Sequence, residues 1–267
     1  MMEVKKSLKT VLKRLRLSGI VPTLPDRIAY STKTKLTLQD SLELILQDEI
    51  DRRENKALTL RLQEAGFEEE QTLENFDWDA PVTFDRDRVR DLFNLGFMER
   101  SEDVIFIGQV GVGKTHLASA LGHAACRAGY KVLVIRAEQM LRELRESRAD
   151  RTHEKAMRRL LGPDLLILDD FGLRRLDSEQ SSDLYELIIE RHKRSSTIVT
   201  SNRGVDEWIP LFDDPMLAQS ALDRLAHNAY QVEIEGDTHR GHQRPGTEGA
   251  KTRRPRTPSK RRRRKAR

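Results

Sequence analysis

The stretch that most constrains this 267-residue chain is Gly108-Gln-Val-Gly-Val-Gly-Lys-Thr115, which fits the pattern GxxxxGK[ST]. It stands directly after the apolar run Val104 to Ile107 and opens a helical pattern. Its glycines let the backbone curl so that successive N–H groups point into one concavity. The helix that follows adds the positive end of its dipole, and both favour phosphate. Lys114 is then placed to reach the β- and γ-phosphates of ATP, and the Thr115 hydroxyl to ligate Mg2+. The expected nucleotide-binding set is Gly108, Gly111, Val112, Gly113, Lys114 and Thr115. His116, the next residue of the same helix start, is counted with this set, although its side chain has no chemical task and reads as a helix residue, not a base.

Around this segment, short apolar runs alternate with longer helical stretches. Val104 to Ile107, Val132 to Ile135, Leu165 to Leu168 and Thr197 to Thr200 are continuous β-rich runs of the kind buried on both faces of a parallel sheet. Helical patterns fall near 115–129, 138–147, 151–160 and 179–193. The alternation predicts an α/β fold, a parallel sheet with right-handed crossovers. Tyr230 to Glu235 alternates apolar and polar residues, as expected of an edge strand. Upstream, Val4 to Leu17 predicts a basic amphipathic helix, Pro22 and Pro25 a break, and Leu38 to Glu64 a second helix stopped by Gly66. These helices are too few for an independent core, so they suit either a helical cap or an oligomerisation or DNA-contacting module. Thr72 to Pro81 reads as a linker whose aromatics, Phe76 and Trp78, need burial. The expected organisation is a helical extension over 1–66, a linker over 67–100, the P-loop core over 101–240 and a basic tail over 241–267.

Hydrophobic residues make up 37% of the chain, enough for one core, and charged residues 34%, so parts of it must be solvated. The formal net charge is +5, but Lys251 to Arg267 holds eleven Lys and Arg and no acid; removing those eleven leaves the rest at −6. That tail cannot bury surface and is expected to be disordered, acting as a phosphate-binding arm for nucleic acid in preference to a mere solvated tail. The single cysteine, Cys126, allows no internal disulfide, and no run approaches the ~18 apolar residues of a membrane span. A cytoplasmic, membrane-free protein is expected.

Asp164-Leu-Leu-Ile-Leu-Asp169-Asp170 is an apolar strand ending in two carboxylates at the edge where open α/β sheets bind ligands. Asp169 is expected to hold magnesium through its water shell, and Asp170 to orient or deprotonate the attacking water. The next strand ends in Thr200-Ser201-Asn202, which brings an amide to the same edge. Arg224, near the end of a helix that starts after Pro215, and Arg240, after the last strand, are either phosphate-reaching arginines or surface ion-pair residues.

Taken together, the P-loop segment, Thr72 to Trp78, Ala128 to Val132, Leu165 to Gly172, Ser196 to Asn202, Glu207-Trp208, Phe212 to Pro215 and Leu222 to Leu225 resemble the IstB-type transposition helper ATPases. These belong to the AAA+ branch that also contains the DnaC helicase loaders, and the resemblance spans nearly the whole chain. It implies that Asn202 is a sensor-1 residue, that Arg224 is an arginine finger and that Arg240 lies near a sensor-2 position. It also implies a homo-oligomer, ring or helical, that assembles on duplex DNA with ATP and delivers target DNA to an IstA-like transposase. Two departures stand out: Asp170 occupies a position where the family often has Glu, and Thr238-His239 replaces the usual Ser-Tyr. No apolar pattern for a helical lid follows Arg240. Rival readings are a DnaC-like helicase loader, a P-loop kinase for a small metabolite, and a scaffold that uses ATP only to fold.

Overall fold

The computed structural model describes residues 4–236. The N-terminal part is helical: α1 (Lys6–Arg14), a short 3-10 turn at Ser18–Ile20, α2 (Leu24–Thr34) and α3 (Leu38–Ala65). α2 occupies the region that the two prolines mark as a break. Pro25 lies in its first turn, where the missing N–H forfeits no helical hydrogen bond, so this proline starts a helix instead of interrupting one. Leu12, Ile20 and Leu24 form a small core under α3, and Arg27 closes it with a two-pronged bond to Asp48 at 2.9 and 2.7 Å. α3 begins at a Thr37–Asp40 capping box and stops at Gly66, whose φ of 79° suits glycine. Its 28 residues span roughly 42 Å at the usual ~1.5 Å rise per residue, long enough to join that small core to the main one. At the far end Leu58, Leu62 and Ala65 pack into the main core, and Arg61 Nε donates to the Cys126 carbonyl at 3.0 Å.

The linker carries β1 (Val82–Thr83), α4 (Arg86–Leu92) and α5 (Gly96–Glu99). Phe76 is buried, with its ring centroid 5.1 Å from that of Trp78 and 5.9 Å from that of Phe84, both edge-on. The core then runs β2 (Asp103–Gly108), α6 (Lys114–Arg127), β3 (Val132–Arg136), α7 (Ala137–Ala149), α8 (His153–Leu161), β4 (Leu165–Phe171), α9 (Ser178–Arg191), β5 (Ser196–Ser201), α10 (Pro215–His227) and β6 (Ala229–Gly236). Sheet order is β1-β6-β2-β5-β4-β3, parallel except for β1. Successive residues of β2 point to opposite faces. Val104 and Phe106 join the layer built on α6 and the linker, while Ile105 joins the layer of α7 to α10.

β6 is not the outermost strand at its end: Ala229 to Ile234 pair with β2, and the two-residue β1 pairs with Glu235 and Gly236, so the edge expected of β6 is covered only over those last two residues. Its alternation reflects one-sided burial, with Val232 and Ile234 inside and Gln231, Glu233 and Glu235 exposed. Among the described residues, no helix is long and apolar enough to cross a membrane. The expectations about the basic tail and the missing lid lie outside the described residues.

At the start of β2 and β5 a buried polar group locks the two strands together. Asp103 Oδ1 accepts from the Thr197 N–H at 2.7 Å, and Arg191 donates to Thr197 Oγ1 and to the carbonyls of Leu160, Pro163 and Ser196. Burial pushes Asp103 up to about 7 and Arg191 down to about 10. An unfolded aspartate titrates near ~3.9, so between that pH and about 7 the folded chain keeps a proton that the unfolded one has lost. Asp103 therefore favours folding most at low pH, and its contribution falls as pH rises through this window. Asp103→Asn, which keeps the acceptor, should lose less stability than wild type between pH 5 and 8. Urea midpoints at the two pH values measure this.

Candidate nucleotide site

The P-loop leaves β2 at Gly108 and re-enters regular structure at Lys114, the first residue of α6. Two glycines are dictated by what surrounds them. A Cβ on Gly108 would stand 2.2 Å from the Ile234 carbonyl oxygen of β6, so no side chain fits there. Gly113 has a φ of 99°, and a Cβ there would stand 3.0 Å from the ring of Phe76, so the linker aromatic lies close to the loop. Lys114 is buried, and its ammonium donates to the carbonyls of Gly108 and Gln109 at 2.8 and 2.7 Å and to Asn202 Oδ1 at 2.7 Å. The cation is thus held at the mouth of the loop by oxygen acceptors, the kind of partner a phosphate would also supply.

On the next strand but one, Asp169 Oδ1 accepts from Thr115 Oγ1 at 2.9 Å and from Thr200 Oγ1 at 2.6 Å. A carboxylate and a hydroxyl from two different elements therefore meet at one point beside the P-loop. Hard oxygen donors of this kind, completed by phosphate and water, suit Mg2+. Asp170 sits in the left-handed region at a φ of 55°. That conformation is better tolerated by a short polar side chain than by a long one, which gives Asp a physical reason to stand here instead of Glu.

The structure thus gathers Gly108, Gly111, Val112, Gly113, Lys114, Thr115, Asp169, Asp170 and Asn202 at the carboxyl ends of β2, β4 and β5. His116 shares the helix start, but its ring engages the linker: Nε2 lies 2.9 Å from the Thr72 carbonyl and the ring meets Phe76 edge-on. Arg224 is placed elsewhere. α10 ends where β6 begins, and Ala229 pairs with Asp103 at the start of β2, whereas the P-loop follows the other end of that strand. At ~3.3 Å per residue, the six residues of β2 separate the two by roughly 17 Å. Arg224 Nη1 donates to the Ser220 carbonyl and hydroxyl at 2.8 and 2.6 Å, and the residue lines an open cleft of about 450 Å³ with His192, Lys193, Asp223, His227 and Asn228. Arg240 lies outside the described residues. Thr200 is the residue that sequence reasoning did not single out. It is one of four buried hydroxyl residues on β5, with Ser196, Thr197 and Ser201, so nothing local in the sequence set it apart.

Residues 10–246 match the IstB-like ATP binding protein family. The chain belongs to this family. This IstB-like chain is 40% identical over 241 residues to an insertion-sequence ATP-binding protein of Mycobacterium tuberculosis, covering 90% of this chain and 96% of that one. It is 34% identical over 233 residues to the IS21 insertion-sequence ATP-binding protein of Pseudomonas aeruginosa, covering 87% and 88%. Among solved structures it is similar to DnaI, with a TM-score of 0.55 at 20% identity over 62% of this chain and 91% of that one. AMPPCP-bound DnaA from Aquifex aeolicus gives 0.52 at 22% identity over 63% and 51%. Those two likenesses speak for the fold alone, a parallel-sheet α/β core with helices on both faces. This IstB-like chain is therefore an ATP-binding insertion-sequence protein.

Lys114 and Asp170 occupy different parts of the site, so their variants should fail differently. Lys114→Ala is expected to lose ATP binding. Asp170→Asn, with a side chain at home in the left-handed region, should bind ATP and lose turnover. Titration with a fluorescent ATP analogue, followed by phosphate release, separates the two.

Proposed function

We propose that the chain hydrolyses ATP in an oligomer, ring or helical, that assembles on duplex DNA and hands target DNA to an IstA-like transposase in the cytoplasm. One observation carries this reading: the P-loop, Asp169, Asp170 and Asn202 form a half-site at one end of the strands, while Arg224 lies at the other end. An arginine about a strand's length away serves no site of its own, but a head-to-tail neighbour presents it to the next protomer's ATP. Heterologous contacts of this kind build rings or open helices.

In this reading the P-loop amides and Lys114 bind the triphosphate, Thr115 and Asp169 hold Mg2+, and Asp170 with Asn202 orients water toward the γ-phosphate. Bound magnesium would supply charge neutralisation between the β- and γ-phosphates. Arg224 of the neighbour completes the site. Residues 101–240 are the ATPase core, 67–100 its linker, 1–66 a module for subunit or DNA contact and 241–267 an arm for DNA phosphates. Membership of an insertion-sequence family supports transposase delivery over helicase loading.

Complementation tests the shared site. Arg224→Ala and Lys114→Ala should each be inactive alone, yet mixing them with duplex DNA should restore part of the rate, because some interfaces then pair an intact P-loop with an intact arginine. A finger of this type is worth roughly 10³–10⁵ in rate, so the loss is readily measured. Normal hydrolysis by Arg224→Ala alone returns it to an ion-pair role. For the arm, deleting 251–267 should flatten the salt dependence of DNA binding by about 0.9 in log–log slope for each phosphate that the arm would have neutralised. A slope equal to that of the full chain would make the tail a solvated appendage.

A further inference from the structure

The two carboxylates at the end of β4 do not sit on a regular strand. Leu168 pairs with Val199 and Phe171 pairs with Ser201, so Asp169 and Asp170 together face the single residue Thr200 of β5. This is a β-bulge, and a bulge leaves the extra residue without its ladder partner. Here the Asp170 N–H, which a regular ladder would direct to a backbone carbonyl, donates to Thr200 Oγ1 at 3.0 Å. The same hydroxyl spends its proton on Asp169 Oδ1 at 2.6 Å.

We infer that Thr200 is a positioning residue for the ATP-hydrolysing site: its one hydroxyl holds the bulge open, sets the Asp169 carboxylate beside Thr115 and fixes the backbone from which the Asp170 side chain leaves. The inference rests on the hydrolytic reading of that site. A hydroxyl is the one small group that both accepts and donates, and both capacities are in use here. The direction of the second bond follows from the first. Because the oxygen receives the Asp170 amide, its own proton goes to Asp169. Thr115 and Thr200 both load onto Oδ1, so Oδ2 is left for the water shell of a metal.

The left-handed conformation of Asp170 depends on the same bond. A φ of 55° at a non-glycine residue is costly and persists where surrounding contacts over-determine it. Thr200 is fully buried, so no solvent molecule replaces its hydroxyl if it is removed. Thr200→Val keeps shape and β-branching while deleting both hydrogen bonds. The Asp170 amide then lacks an acceptor, and the bulge has reason to slip back toward regular pairing.

A purely structural role would lower the melting temperature and leave magnesium dependence alone, so the test reads both. Full-length wild type, Thr200→Val and Thr200→Ser are compared for ATP turnover with duplex DNA across a magnesium titration, for binding of a fluorescent ATP analogue, and for thermal midpoint. Second-layer partners of a metal site typically cost 10–100-fold in metal affinity or activity. Thr200→Val is therefore expected to bind the nucleotide, lose about 10–100-fold in kcat and need about tenfold more magnesium for half-maximal rate. Thr200→Ser, which keeps the hydroxyl, should recover most of both. Wild-type kcat and magnesium dependence in Thr200→Val overturn the inference while leaving the hydrolytic reading intact, as does a Thr200→Ser variant as impaired as Thr200→Val. A lowered melting temperature with unchanged magnesium dependence also overturns it, in favour of packing. Absence of turnover in wild type with duplex DNA overturns the hydrolytic reading itself, and this inference with it.

Discussion

The site depends on the position of one strand. β5 lies between β2 and β4, so the residues at its end touch both the phosphate loop and the acidic strand end. Asn202 reaches back to Lys114 and Thr200 reaches forward to Asp169 and the Asp170 amide. Without β5 between them the lysine and the carboxylates would belong to strands with no shared partner. Parallel pairing with aligned register brings Ile107 level with Ser201, which places loop, amide and acids at one height.

Both ends of the β2–β5 pair are pinned by polar groups, for different reasons. At the carboxyl end the groups are arranged around a place for phosphate. At the amino end Asp103 and Arg191 are sealed in by burial and satisfy backbone groups that the sheet leaves over. A buried network of this type is costly if any member is removed, because an unsatisfied group would remain in a low-dielectric interior. It fixes the register on which the distant chemistry relies.

The linker joins the site to the rest of the chain. Phe76 closes over Gly113, and His116 bonds the linker backbone at Thr72, so the turn that precedes the core is packed against the start of α6. α3 packs on the same layer through Leu58, Leu62 and Ala65. A change in loop shape on nucleotide binding therefore has direct neighbours through which to reach the helical extension.

Local pattern determined much of this by itself. The strand, glycine loop and helix around Lys114 were legible because each is specified by adjacent residues. The continuous apolar or β-branched runs announced four buried strands because a strand covered on both faces shows no alternation with charged residues, and Gly66 announced the end of α3. The acids at 169 and 170 and the amide at 202 were legible as strand-end residues. Only the tertiary structure decided what depends on residues far apart in sequence. It added the two-residue β1 outside the last two residues of β6, a pairing with a segment far earlier in the chain that the alternation of β6 does not announce. It made Pro25 a helix start, turned His116 toward the linker, and set Arg224 at the far end of the strands from the P-loop. It also created the bulge that makes Thr200 matter, since a bulge exists only when two strands are paired and the register between them slips by one residue.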